Sequence, residues 1–305
     1  MKKLVYLIFA LVIAGLVAPR IASVADVDWF GQFSALGGAE RVTQQTKVDG
    51  TSGGNHGLLM GEALGMIPIT PMIGIQMSGA FGYGFGHVDK VGLQAGPVVG
   101  CAGGKAGVFM TGQFHFYNPA SGANHVGTRN ANFVWITPSV SLYDLLPSTN
   151  LDIWLSQQVS RSTAIDAKGA DGSDDHGRIL FPTSSLRTAL NWFPGGLPFG
   201  NGNTELTLGV QFNSLSGPDR RHHDKDCHCD TGFSAGPVAG VAVMPWQNLE
   251  VQLFRATFDN NNRYQVTSGV KFAIGRDNKA TLIQLRRMYL EPTGMPQFIG
   301  SGKRG

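Results

Sequence analysis

The stretch Arg220 to Asp230, RRHHDKDCHCD, carries the densest set of metal-type ligands in the chain: His222, His223, Cys227, His228 and Cys229, with Asp219, Asp224, Asp226 and Asp230 around them. Imidazole and thiolate together suit zinc or copper, and four such side chains can close round one ion. Cys-x-Cys is tighter than the spacing of structural zinc sites, so the pair is equally compatible with a small disulfide or with two separate thiols. A c-type haem requires Cys-x-x-Cys-His, which the stretch does not contain. The other polar side chains that could do chemistry are scattered: Gln113, His115, Asp152, Arg187, Glu205, Gln211 and Lys271. None forms a nucleophile and acid–base set at recognisable spacing, and His115, Ser139 and Ser141 are too generic to define one, so no enzyme is expected. Gly82-Tyr83-Gly84-Phe85-Gly86 has the glycines of a phosphate loop but leads into no helix that would face a phosphate.

What can position the scattered residues is an alternation of period two. From Leu206 to Phe212 every even position is apolar, against Glu205, Thr207, Gly209, Gln211 and Asn213. The run 263–274 behaves likewise, and Ile73, Ile75, Met77, Phe81 and Tyr83 alternate with small or polar residues. Such runs predict twelve strands, near 28–36, 58–66, 72–84, 91–101, 106–117, 131–143, 150–158, 185–193, 203–214, 232–243, 248–258 and 263–274. Most approach the roughly 9–11 residues with which a tilted strand crosses a bilayer. The odd-numbered connections include the long polar stretches 37–57, 118–130, 159–184 and 215–231, whereas the even-numbered ones are short.

Long connections on one side, short turns on the other and an even strand count predict an all-β fold, a closed antiparallel transmembrane barrel of about 12 strands over residues 26–275. Closure leaves no edge, as lipid requires. The isolated polar residues then fall on the inner face. His115, Asp152, Arg187, Glu205, Gln211 and Lys271 are expected to line a lumen whose mixed charges select among small solutes or ions. Trp29, Phe30, Trp135, Trp192, Phe193 and Trp246, near strand ends, suit an interfacial girdle, while Trp154 has the parity of the lumen. Three details conflict with ideal strands: Pro97 and Pro237 lie inside them, Glu62 sits on an apolar face, and the alternation slips at Leu253-Phe254 and near Pro138. Residues 91–100 and 231–240 also echo one another around a shared Ala-Gly-Pro-Val pattern, which places 217–230 as an enlarged hairpin connection on the long side.

Lys2 and Lys3, an apolar run from Leu4 to Val17 and the small residues Ala22 to Ala25 read as a secretory signal peptide over 1–25. Glycine, 42 of 305 residues, is about twice its usual ~7 %, and charged residues, 15 %, fall well below the usual ~25 %. The formal charge of +3 is carried by the ends. Residues 1–25 hold three positive charges and 276–305 a net four, leaving the barrel at −4, so no nucleic-acid surface is expected. The basic stretch 276–305 reads as a periplasmic tail with at most a turn or two of helix.

These features resemble an outer-membrane β-barrel of the porin type, in architecture and not through a family signature. The resemblance implies the outer membrane of a Gram-negative-type bacterium. It further implies a lipid bilayer as surroundings and a channel for small solutes or ions, or a sleeve for a periplasmic, electron-transfer partner protein. The alternative is a non-conducting structural or surface-binding barrel with a metal-touching loop, zinc or copper at 222–229. Such barrels end on an aromatic residue of the last strand; here Phe272 lies near that position and the chain continues to Gly305.

Overall fold

The computed structural model describes residues 30–41, 55–84, 88–117, 128–165, 181–196, 199–216, 231–260, 264–275 and 280–292. Residues 1–25, read as a signal peptide, and the ligand cluster 222–229 lie outside them. Among the described residues there are twelve strands: β1 (Phe30–Arg41), β2 (Asn55–Pro68), β3 (Ile73–Gly84), β4 (Val88–Cys101), β5 (Gly104–Tyr117), β6 (Thr128–Tyr143), β7 (Thr149–Ile165), β8 (Phe181–Trp192), β9 (Thr204–Ser216), β10 (Thr231–Trp246), β11 (Leu249–Phe258) and β12 (Tyr264–Gly275). A helix, α1 (Leu282–Met288), follows. Each strand pairs antiparallel with its sequence neighbours, and β12 closes on β1 from Phe30↔Gly275 to Arg41↔Tyr264, so the sheet is a closed barrel.

Alternation decides which side chains face out. Met77, Phe81, Leu93, Met110, Phe233 and Phe272 are exposed on the outer surface, and Leu208 is 68 % exposed. The opposite parity supplies Gln76, Gln94, Thr111, Gln211, Asn213 and Lys271, all buried. A continuous outer band of large apolar side chains is costly in water and suits hydrocarbon. Trp192 and Trp246 are exposed at the short-turn ends of β8 and β10.

The conflicts in the sequence resolve locally. The β11–β12 register shifts between Gln252 and Arg255, a bulge that turns both Leu253 and Phe254 outward. The β4–β5 ladder is interrupted at Gly96 and Pro97, where proline has no N–H to give. β2 inverts the expected rule. Its apolar even face, with Leu58, Leu64 and Met66 buried, points inward, so Glu62 on that face lines the lumen. The girdle expectation needs correction for the same reason: Phe30, Trp135 and Phe193 are buried inside.

The echoing strands β4 and β10 are six places apart in a ring of twelve, directly across the barrel. Their equivalent glycines are approached by a neighbouring strand's backbone. A Cβ on Gly96 would meet the Val108 carbonyl and lie 2.9 Å from Phe109 Cα; on Gly236 it would meet the Phe258 carbonyl and lie 2.7 Å from Asp259 Cα. Inward glycines of this kind let a sheet coil sharply enough to close.

Candidate functional site: a plugged lumen

Residues 280–292 enter the short-turn mouth and fill it, whereas the sequence suggested a basic tail outside. α1 begins at Thr281, whose backbone N–H and hydroxyl both donate to Gln284 Oε1, at 2.7 and 3.1 Å. Arg286 and Arg287 occupy its last turn, where cations oppose the negative end of the helix dipole. Leu282 and Leu285 are spaced to share one face. With Tyr289 and Leu290 they are buried against Phe30, Leu64, Met66, Val98, Phe109, Phe193, Met244 and Ala273 at the ends of the strands. The Tyr289 ring stacks on Phe30 at 5.4 Å. Gly107 makes room for Leu290, because a Cβ there would stand 2.9 Å from Leu290 Cδ1. Leu64 and Met66, on the inward apolar face of β2, thus form part of the socket for this plug. Replacing Leu285 by alanine should cost about 2–5 kcal/mol of docking, seen as faster limited proteolysis within 280–292 while the barrel stays intact on heat-modifiable gel migration.

Polar contacts lock the same segment. Arg286 donates from Nε to Glu205 Oε2 at 2.7 Å, from Nη2 to Glu250 Oε1 at 2.6 Å, and from Nη1 to Glu250 Oε2 at 2.8 Å. It also donates to the Tyr289 hydroxyl at 2.7 Å. Burial pushes the Tyr289 phenol up to about 12 against the pull of Arg286, so it stays protonated. Lys271 Nζ lies 3.7 Å from Glu250 Oε1, the oxygen that Arg286 Nη2 also reaches. Deeper in the lumen, Gln76 brackets the plug backbone, donating to the Leu290 carbonyl at 2.6 Å and accepting from its N–H at 2.9 Å. Trp154 Nε1 donates to the Glu291 carbonyl at 3.0 Å, and the Glu291 carboxylate pairs with Arg255. At the rim, Arg287 donates to Asp144 at 2.7 Å and the Ile283 N–H to the Gly202 carbonyl at 3.0 Å.

Above the plug the lumen keeps a cavity of about 120 Å³, room for on the order of ten waters. Arg187, Gln211 and Lys271 are among its walls. Glu205 lies lower, in the plug clamp, and Asp152 accepts a hydrogen bond from Asn191 in the same interior. His115 stands on β5 opposite Lys90 and Ala131, and its side chain is outside the described residues. Toward the long-connection end a buried Lys90–Glu40 pair at 2.7 Å spans from β4 to β1. Among the described residues no three His, Cys, Asp or Glu side chains gather as a metal set. Glu62, Glu250, Arg255, Arg286 and Glu291 were not among the expected lumen residues. The parity of β11 could have found Glu250; nothing in a short basic tail announces Arg286.

No family model matches the chain, and no curated protein does. Among solved structures it is similar to the translocator domain of the autotransporter NalP from Neisseria meningitidis, at 10 % identity and a TM-score of 0.47, over 90 % of this chain and 96 % of that one. It is also similar to an outer membrane channel from Pseudomonas putida F1, at 10 % identity and 0.49, over 85 % and 100 %. A Pseudomonas aeruginosa FadL homologue matches at 8 % and 0.40, over 85 % and 91 %. The likeness is one of barrel architecture.

Proposed function

We propose that the protein is an outer-membrane channel for small solutes or ions, held shut from the short-turn side by its own residues 280–292. The outward apolar band supports a bilayer as its surroundings, and the inner polar face supports an aqueous path. The observation that carries the closed state is the fork of Arg286 onto Glu205 and Glu250, a removable bolt and not a covalent wall. A sleeve for a partner protein fits less well, because this chain already fills the mouth such a partner would need. The plug also favours a second reading, a barrel that never conducts.

Planar-bilayer recording separates the two. The full-length protein is expected to be closed for most of the record, with discrete openings. No steps at any voltage, from the full chain and from a variant that frees the plug, would leave the structural barrel.

A further inference from the structure

We propose that the lumen above the plug is a binding site for a small organic carboxylate, gripped by Arg187 with Arg255 on the wall of the same cavity. The assignment deepens the channel reading and rests on it for the route by which the acid arrives.

Arg187 stands on β8 directly across from Trp154 on β7 and Gln211 on β9. Its guanidinium carbon lies 5.1 Å from the centre of the Trp154 ring, which fixes its plane. It is only 9 % exposed, yet its Nε and Nη2 have no hydrogen-bond partner. Those two nitrogens are the edge of the guanidinium that grips a carboxylate with two parallel bonds. Asp152 acts on Arg187 electrostatically but is engaged by Asn191, and no ion pair to Arg187 is present among the described residues.

Other residues on the cavity wall share this shortage. Arg255 Nε, Trp135 Nε1 and Gln32 Nε2 are also buried donors without partners, against Gln211 Oε1 as an acceptor and the Thr111 hydroxyl, which can donate or accept. Water can satisfy an N–H, but it adds no charge to offset a buried guanidinium that no carboxylate among the described residues touches. A carboxylate does both. Of the two acids on the cavity wall, Glu62 on β2 is six strands from β8 and so across the lumen from Arg187, and Glu291 of the plug is paired with Arg255. Leu36, Met60, Leu64 and Trp154 on the same walls suit a short hydrocarbon body. An acid that reaches Arg255 also competes with Glu291 of the plug, which couples loading of the site to loosening of the bolt.

Calorimetric titration of the full-length protein, folded in detergent, with butyrate, butyramide and inorganic phosphate tests the site. Saturable binding of one butyrate is expected, with no saturable butyramide binding and affinity reduced at least tenfold in Arg187→Gln. Equal binding of butyrate and butyramide, unchanged affinity in Arg187→Gln, or no butyrate binding would overturn it. Phosphate binding more tightly than butyrate would overturn the organic acid as its ligand. If Arg187→Gln yields no heat-modifiable barrel, Arg187→Lys keeps the charge without the fork and is expected to lose at least fivefold. Saturable binding in a barrel that never conducts sinks the channel and keeps the site; conductance without binding does the reverse.

Discussion

Arg286→Ala is expected to turn a mostly closed barrel into a mostly open one. The substitution removes three bonds to carboxylates and one to the Tyr289 hydroxyl, and strands Glu205 and Glu250, both buried, with Lys271 at 3.7 Å as the remaining ion-pair partner of Glu250. Breaking a buried pair from one side costs about 3–5 kcal/mol. At ~1.4 kcal/mol per factor of ten, the ratio of undocked to docked plug rises on the order of a hundredfold or more. The measurement is open probability in planar bilayers, alongside protease sensitivity of 280–292. Arg286→Lys should fall between the two, since a point charge cannot reproduce the bidentate contact with Glu250. If Arg286→Ala folds and its conductance and protease sensitivity match the original, the bolt is not what keeps the plug in place.

The second large effect is on the barrel itself. Gly236→Ala is expected to abolish the heat-modifiable folded form or destabilise it by more than about 3 kcal/mol, because the added methyl has only backbone to collide with. A flexible side chain could swing away; the Phe258 carbonyl and Asp259 Cα cannot without breaking the β10–β11 junction. Gly96→Ala, at the equivalent place on β4, should behave alike. Gly65→Ala on β2 is the control, since a Cβ there has nothing within 4 Å. Heat-modifiable mobility and urea unfolding of the refolded proteins provide the comparison, and three equivalent curves would refute the steric account.

Much of the barrel was legible in the sequence because lipid imposes a strict period of two on strands such as β3, β9 and β12. Where that pressure stops, so does the signal. The alternation predicts an end of β7 at 158, yet the strand continues to Ile165, its polar stretch Ser160-Arg161-Ser162-Thr163 paired with β6 by backbone bonds that need no greasy face. Periodicity reports which face is apolar, not which face is outside, and on β2 an inner apolar surface looks like an outer one. Leu64 and Met66 carry no mark that their partner is Leu282 or Leu290, more than two hundred residues away. The plug was illegible for the same reason: seven helical residues gain their stability from a socket built by many strands.

The plug is joined to β12 by only residues 276–279. Four residues reach at most about 14 Å, so an undocked helix remains beside its socket at an effective concentration in the millimolar range or above. Recapture is therefore intramolecular and fast, and independent of how many barrels share the membrane. Openings of the unaltered protein should be brief flickers whose length reflects the return of a tethered segment, and a synthetic copy of 280–292 added in trans would have to reach comparable concentrations to block the pore.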